Sequence, residues 1–490
     1  MFKEDLLELS EKTEIEILKK LYINNGNFSK HNMCTELNIS FPTLKHYIKN
    51  INTMFSNYYD DKINIYINKE IIFLKYDIDI SLDNFVSIYI KNSLKYKLLS
   101  MFYYYKDLNS IKLSTQLNVS LSTINRKIKE CNELLAPFNL KIKNFELKGS
   151  PIQFAYFYYS FFRNSGVNKQ IKPTCNDKDL VKFLEKVLSF KFAYSYKLNI
   201  YIWSKIILRH RDKFNEENFS DEFSLSNLTN LKDNIIFKNL ELFYSRFLIN
   251  KKYLAFVTTC FLKSFGGLPF EDNIDQNTPF ILSNFILANI KSLFSNNYFR
   301  FSKVFKNNIL TYCNRQFYFK GVFYSIDKNF RDFYLNTHLS FLKNHFITNL
   351  FKNIQSYFNL NYFDFDCFKF LIVLNLSILN EDNKYQFIDK TNKYTLKIGV
   401  LSKTDNLVLE IKIREFNNFL KRRFNAKAEI FYEENLNSYD LIITNMHDKF
   451  LDGLTINVFR YTYLGIEYDS KNLIEALNSI EKERIKKLEM

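Results

Sequence analysis

The sequence predicts a mainly α-helical, multidomain protein that ends in a small α/β domain. Glycine and proline are scarce, with nine and six in 490 residues, so few positions interrupt the long periodic segments that are typical of helices. A chain of this length exceeds what one core organises and suggests about three to five domains. After residue 393, short apolar runs alternate with amphipathic segments, which indicates a largely parallel sheet flanked by helices.

One stretch of the chain occurs twice. ELNISFPTLKHYIKNIN at 36–52 and QLNVSLSTINRKIKECN at 116–132 superpose with a constant shift of eighty positions. The identical positions are Leu37/Leu117, Asn38/Asn118, Ser40/Ser120, Thr43/Thr123, Ile48/Ile128, Lys49/Lys129 and Asn52/Asn132. In both copies a serine N-cap precedes an apolar stripe with three- and four-residue spacing. This pattern indicates the turn and second helix of a helix-turn-helix.

Hairpin signals follow both copies and complete the pattern of a winged helix. The predicted elements are helices 14–25, 28–37 and 41–55 with a hairpin at 62–76, then helices 82–105, 110–117 and 121–135 with a hairpin at 140–149. Apolar and polar residues alternate in each hairpin segment. The sequence therefore predicts two tandem winged helix-turn-helix domains, at 1–80 and 81–165, and the second includes a connecting helix from Pro151.

The outward faces of the two second helices carry side chains that suit DNA. They are Thr43, Lys45, His46 and Lys49 in the first copy and Ser122, Thr123, Asn125, Arg126 and Lys129 in the second. Arginine pairs with guanine, asparagine with adenine, and lysine with phosphate. Each helix alone could instead be an ordinary amphipathic helix with a solvated face, but two copies in register favour double-stranded promoter DNA as the partner.

The distribution of charge points to the second copy as the main source of phosphate affinity. The whole chain has a formal net charge of +16, which suits a polyanionic partner. Residues 1–83 hold 10 Lys/Arg and 13 Asp/Glu, a balance of −3, whereas residues 84–150 hold 11 and 4, a balance of +7. Neutralisation of DNA phosphates should therefore depend mostly on the second unit.

Other classes of protein lack support in the sequence. The six cysteines form no CxxC pair or Cys/His cluster, as in a reduced cytosolic protein without disulfides or zinc. The first residues are charged from the third position and lack the apolar core of a signal peptide, so none is expected. The apolar run at 367–379 contains Lys369 and Asn375, so a buried helix is expected and not a membrane span. No nucleotide-binding or catalytic motif is present. We expect a cytoplasmic protein that is not an enzyme and has no cofactor or metal.

The end of the second wing and the helix after it resemble a known family. ELKGSPIQ at 146–153 leads into the aromatic segment PIQFAYFYYSFFRN at 151–164, and this arrangement after tandem winged helices resembles the Mga and AtxA family of virulence-gene activators from Gram-positive bacteria. The resemblance implies two helical phosphotransferase-regulated domains (PRD-like), at 170–276 and 277–390, and a C-terminal domain at 393–490 similar to the EIIB subunit of sugar permeases. It implies a transcriptional activator of virulence-related genes.

The same resemblance implies regulation by the sugar phosphotransferase system. In that family the phosphocarrier protein of the system can phosphorylate histidines of the regulatory domains, which requires an exposed imidazole and nearby cations. The candidates here are His210, flanked by Arg209 and Arg211, and His338. The alternative for His210 is a surface histidine in a basic patch. Metal binding by the histidines is not expected.

The C-terminal segment departs from active EIIB subunits. Those carry a phosphorylatable cysteine directly after the first strand, whereas residues 400–404 here read VLSKT. The resemblance therefore implies an assembly surface, and a homodimer through this domain. An RNA-binding antiterminator with similar regulatory domains is the alternative function, but its RNA-binding domain is small and β-rich. A phosphotransferase enzyme would need the missing cysteine.

Overall fold

The structure is a computed structural model that describes most of the chain. The described residues are 3–59, 63–76, 82–164, 175–219, 231, 234–247, 251–268, 278–291, 301–321, 344–358, 370, 395–404, 406–421, 424, 426–446, 449–461 and 467–488. Within these ranges, no helix has the length and apolar character needed to cross a membrane. The predicted site His338 and most of the apolar run at 367–379 lie outside the described residues.

The first unit combines helices with a small antiparallel sheet. Its elements are α1 (Leu9–Ile23), β1 (Asn27–Ser29), α2 (Lys30–Leu37), α3 (Phe41–Tyr59), β2 (Ile63–Asn68) and β3 (Ile71–Tyr76). The strand order is β1-β3-β2, so β2 and β3 form the predicted wing and β1 covers its edge. The prediction of helix throughout 28–37 misses β1, because these three residues become a strand only by pairing with the distant β3.

The second unit repeats this plan with a smaller wing. Its elements are α4 (Leu82–Asn92), α5 (Leu94–Tyr104), α6 (Ser110–Leu117), α7 (Leu121–Leu135), β4 (Lys141–Lys143) and β5 (Glu146–Lys148). The single helix predicted at 82–105 is two helices. Ser93 separates them, because its hydroxyl caps α5 by accepting the N–H of Tyr96 and also donates to the carbonyl of Ile90. The bounds of α6 and α7 are as predicted.

A buried helix connects the second unit to the helices that follow. α8 (Pro151–Asn164) is buried at every position from 151 to 162, as expected for a helix that is apolar on all sides. Two of its polar side chains bond to neighbouring helices: Tyr158 donates to the carbonyl of Leu99 in α5, and Gln153 donates to the carbonyl of Tyr318. α8 therefore contacts helices on both sides of it in the sequence.

Helices continue to residue 358. They are α9 (Cys175–Leu188), α10 (Tyr194–Arg209), α11 (Glu216–Phe219), α12 (Ile235–Tyr244), α13 (Lys251–Phe265), α14 (Thr278–Lys291), α15 (Lys303–Tyr318) and α16 (Asn344–Phe358). The sole tryptophan, Trp203, is fully buried and stacks on Phe261 with ring centroids 4.3 Å apart, as expected for a core residue.

The described C-terminal residues form a small α/β domain. Its elements are β6 (Leu396–Leu401), α17 (Asn406–Lys421), β7 (Ala426–Ile430), β8 (Leu441–Thr444), α18 (Lys449–Asp452), β9 (Asn457–Arg460) and α19 (Glu467–Leu488). The strands pair in parallel in the order β7-β6-β8-β9, so the predicted parallel sheet is present.

The buried core is continuous from the first unit into the later helices. One cluster of buried apolar side chains extends from Leu6 in the first unit through Ile354 in α16 and includes Val408 and Ile411 of α17. The aromatic side chains of α8 join its parts, as where Tyr156 packs against Phe265 and Phe319. A second cluster lies within the α/β domain, and a third joins this domain to Tyr194 of α10. Both helix-turn-helix units therefore share a continuous core with the helices that follow.

Candidate nucleic-acid interface

The turn of each helix-turn-helix is built by the same local chemistry. Asn38 and Asn118 end α2 and α6 with left-handed backbone, at φ +52° and +53°. Asparagine is one of the few non-glycine residues that adopt this conformation readily. Ser40 and Ser120 then cap α3 and α7 by accepting the N–H of the residue three positions on. The identities found in the sequence repeat are thus the residues that shape the turn.

The two copies also present their surfaces alike. The sequence of buried, half-buried and exposed positions from 31 to 40 recurs at every position from 111 to 120. Leu44 and Ile124, the first inward residues of α3 and α7, are fully buried. The polar faces of α3 and α7 therefore point outward in both units, as in a recognition helix that enters a major groove.

The candidate DNA-contacting residues of α3 lie on its outward face. Lys45, His46 and Lys49 are exposed and Thr43 is half-buried. Lys45 also lies over the ring of Phe41, with Nζ 4.7 Å from the ring centroid. The exposed side chains of α3 include two lysines and a histidine, so this helix can contact phosphates and base edges.

The candidates of α7 form a second outward face with one strongly exposed arginine. Asn125, Arg126, Lys129 and Ser122 are exposed, and Thr123 is half-buried. The side chain of Arg126 is 68% exposed, and its Nε lies 3.9 Å from Glu130 one turn later. This carboxylate limits the directions that the guanidinium can take.

The short hydroxyl side chains serve the caps. Thr43 Oγ1 lies 2.7 Å from Ser40 Oγ, and the hydroxyls of Ser122 and Thr123 lie 2.8 and 2.9 Å from Ser120 Oγ. These hydroxyls are already hydrogen-bonded within the protein. The long side chains of the two faces are therefore better placed to reach DNA.

The sequence alone does not explain why an asparagine recurs at the same position of both recognition helices. Asn52 and Asn132 each hold a wing strand through a reciprocal pair of hydrogen bonds to one backbone residue, Ile65 and Ile142 respectively. Their identity in the two copies was the available signal. These bonds fix each wing to the recognition helix before it.

The two wings differ in chemistry. In the second wing, Lys141 and Lys143 are exposed on either side of buried Ile142, and Lys148 is exposed on the paired strand β5. In the first wing, the exposed face includes Tyr66, which stacks on Phe73 with centroids 5.3 Å apart. Both wings therefore expose lysines, including Lys69 and Lys75 in the first, and the first wing adds an aromatic surface.

One lysine of α7 points inward and was also missed. Lys127 is 3% exposed, and its Nζ lies 2.6 Å from Glu8 and 2.7 Å from Glu130. Burial acts to raise the pKa of Glu130, but the hydrogen bond from Lys127 and the positive charges of Lys127, Lys95 and Arg126 together outweigh it, so the pKa lies below its ordinary value. Glu8 is 119 positions away in the sequence, so no local pattern could reveal this contact.

His210 occupies an environment unlike the exposed one that the sequence suggested. Its ring packs between Tyr103 and Phe154, with centroids 4.8 and 4.9 Å away, and the buried Nε2 has no hydrogen-bond partner. Burial, together with the charges of Lys213 and Arg209, lowers the pKa of His210 to about 4. The imidazole is therefore neutral near pH 7 and joins the second unit to the helices after α8.

The loop after β6 is engaged by other parts of the chain. Arg163, at the end of α8, donates to the carbonyls of Lys403 (2.9 Å) and Thr404 (3.3 Å). The N–H groups of the same two residues donate to Asn445 Oδ1 and Ser402 Oγ. These two amide N–H groups already donate hydrogen bonds within the protein, so they are not available to bind a phosphate group.

Two helix-turn-helix units with cationic outward faces define this chain as a DNA-binding regulator of the helix-turn-helix class. Family models match both units. The M protein trans-acting positive regulator (MGA) helix-turn-helix domain matches residues 10–69, and the Mga helix-turn-helix domain matches residues 78–162. These matches support the Mga family of regulators, and the predicted resemblance is confirmed. Among curated proteins, none matches the chain.

Proposed function

We propose that this protein activates transcription of virulence-related genes by binding promoter DNA through both recognition helices, with α7 supplying most of the affinity. The observation that carries the proposal is the repeated geometry of α3 and α7, which exposes Lys45 and Lys49 in one copy and Arg126 and Lys129 in the other. Arginine suits guanine and lysine suits phosphate.

The proposal includes modulation by the phosphocarrier protein of the sugar phosphotransferase system through His210 and His338. The cations beside His210, which include Lys213, Arg209 and Lys106, support this part because they could stabilise an added phosphoryl group. The burial of Nε2 opposes it. Phosphorylation there requires the ring to leave its position between Tyr103 and Phe154.

Self-association through an EIIB-like C-terminal domain is a further part of the proposal. One apolar face of this domain already packs within the chain, where Tyr194 of α10 contacts Phe431 and Phe450. A second copy would therefore bind another face of the domain, and the missing phosphorylatable cysteine fits an assembly role.

The test is DNA binding by the purified full-length chain across a salt series. The probes are its own upstream region and unrelated DNA of equal length. Three variants are compared with wild type: Arg126→Ala/Lys129→Ala in α7, Lys45→Ala/Lys49→Ala in α3, and Lys182→Ala/Lys186→Ala in α9. The last pair is an equal change of charge on an exposed helix outside the helix-turn-helix units.

The α7 variant should bind its own upstream region much more weakly, with a salt slope lower by about 1 for each lost phosphate contact. The α3 variant should lose less affinity, and the α9 variant should match wild type. Equal losses in all three variants would indicate a diffuse charge effect. Wild type without salt-dependent DNA binding would contradict the proposed function.

A further inference from the structure

The two helix-turn-helix units are joined by charged contacts that the repeat itself does not contain. Lys127 of α7 corresponds to Tyr47 of α3, and Glu130 corresponds to Asn50. Lys127 bonds to Glu8, the N-cap residue of α1. The second recognition helix is therefore tied to the start of the first unit by residues that only the second copy has.

A second lysine strengthens this connection. Lys95 of α5 is 8% exposed, and its Nζ donates to the carbonyls of Asp5 (2.8 Å) and Leu7 (3.3 Å). It also lies 3.7 Å from Glu130. Residues 5–8 are thus held by two buried lysines of the second unit. In each pair the lysine is buried and the glutamate is partly exposed, so salt screens these pairs less than fully exposed ones.

A further contact between the units lies at Glu14 of α1. Glu14 is buried and accepts hydrogen bonds from Tyr89 of α4 at 2.8 Å and from Asn50 of α3 at 3.0 Å. The first helix of the chain is therefore bonded to the recognition helix of its own unit and to α4 of the next. Together with the shared core, these bonds leave little freedom between the units.

A rigid connection between the two units would restrict the DNA spacings that they can bind together. One base pair moves a binding site by about 3.4 Å along the helix axis and rotates it by about 35°. Hydrogen bonds of 2.6 to 2.8 Å cannot follow a shift of that size.

We propose that Glu8, Lys95, Lys127 and Glu130, which we call the inter-unit clamp, fix the separation of the two recognition helices, so that one chain reads two DNA elements at a single spacing. The inference rests on the proposed DNA-binding function. Glu130 contacts Lys127, Lys95 and Arg126, so it also positions the guanidinium that is proposed to read a base. Lys127 and Glu130 are positioning residues and do not contact DNA themselves.

The experiment selects binding sites for the full-length chain from a random library of double-stranded DNA. Wild type is compared with Glu8→Gln/Lys127→Met, which opens the clamp. The matched control is Lys20→Met/Glu36→Gln, which makes the same two substitutions at an ion pair between α1 and α2 within the first unit. The spacing between the two selected elements is read by sequencing. One or two base pairs are then inserted into the wild-type site and affinities are measured.

Wild type and the control should select two elements at one spacing and lose about tenfold in affinity on insertion. The clamp variant should select the same elements over a range of spacings and tolerate the insertion. This readout separates positioning from a general loss of stability, which would weaken all sites alike. A clamp variant with the wild-type spacing and insertion penalty, or a wild type that selects one element, would overturn the clamp.

Wild type that selects no DNA would instead overturn the proposed function.

Because Lys127→Met leaves Glu130 and Lys95 in a changed environment, Glu8→Gln alone provides a milder variant. The Glu8 side chain is 41% exposed, and a glutamine in its place retains an oxygen that can accept a hydrogen bond from Lys127. It should broaden the spacing to a smaller extent, and an unchanged spacing distribution in this folded variant counts against the clamp.

Discussion

Asn132 and Ile142 are joined by a reciprocal pair of hydrogen bonds in which the side-chain amide replaces a neighbouring strand. Asn132 Nδ2 donates to the carbonyl of Ile142 at 3.2 Å, and the N–H of Ile142 donates to Asn132 Oδ1 at 2.6 Å. Asn52 makes the same pair with Ile65 at 2.8 and 2.9 Å. A recognition helix and its wing are thus one mechanical unit in both copies.

Replacing either asparagine should destabilise the protein. Asn132→Ala leaves a backbone N–H and C=O without their partners, at a cost of about 1–3 kcal/mol in the free energy of unfolding. Urea denaturation followed by circular dichroism measures the loss. The matched control is Asn57→Ala, at an exposed position of α3, which should change stability by less than about 0.5 kcal/mol. Equal denaturation curves for the two variants would contradict a tethering role.

Stability should depend on the protonation of His210 in a defined range of pH. The folded protein holds the pKa of this imidazole at about 4, against an ordinary value of 6.5. The unfolded chain therefore binds the proton more readily, and stability falls as pH falls from about 6.5 to about 4. The full effect is about 3 kcal/mol. It is complete only below the folded pKa.

The comparison that isolates this effect is wild type against His210→Phe, which keeps an aromatic ring between Tyr103 and Phe154. Carboxylates contribute equally to both proteins, so the difference between their unfolding free energies reports the histidine. Urea denaturation at several pH values from 7 to 4.5 should show that wild type loses more stability than the variant. Parallel pH profiles would show that the ring is not held neutral by its surroundings.

Arg163 should protect the loop after β6 from solvent. Arg163→Ala removes the donor to the carbonyls of Lys403 and Thr404, so the loop should open more often and amide exchange in peptides covering 400–404 should quicken. Hydrogen–deuterium exchange measured by mass spectrometry tests this. Arg246→Ala, which removes an arginine paired with Asp179 at 3.9 Å, is the control. Unchanged exchange in the Arg163 variant would show that the loop is held by its other bonds.

The sequence predicts the helix-turn-helix units well because their bounds depend on local chemistry. Asn118 and Ser120 stop one helix and start the next within three residues, so α6 and α7 begin and end as predicted. The outward faces follow from helical periodicity in the same way. Glycine should replace Asn118 without strain for the same local reason.

The remaining features depend on residues far apart in the sequence. β1 forms only against β3, and Glu8 meets Lys127 only after both units have folded. The charges beside His210 suggested exposure, but Tyr103 and Phe154 cover the ring from other helices. The break at Ser93 was missed because the apolar pattern continues through it. Periodicity reports which side of an element is inward and does not report what lies against it.

The burial of α8 on every side also bears on how this protein could evolve. A helix that is enclosed by elements before and after it cannot be exchanged between genes as a self-contained module, because any new neighbour would have to match its aromatic surface at once. The DNA-binding units should therefore be inherited together with the helices that enclose α8. New regulatory inputs would arise by gradual change within the whole chain, and fusion of these units to an unrelated sensor would expose a large apolar surface.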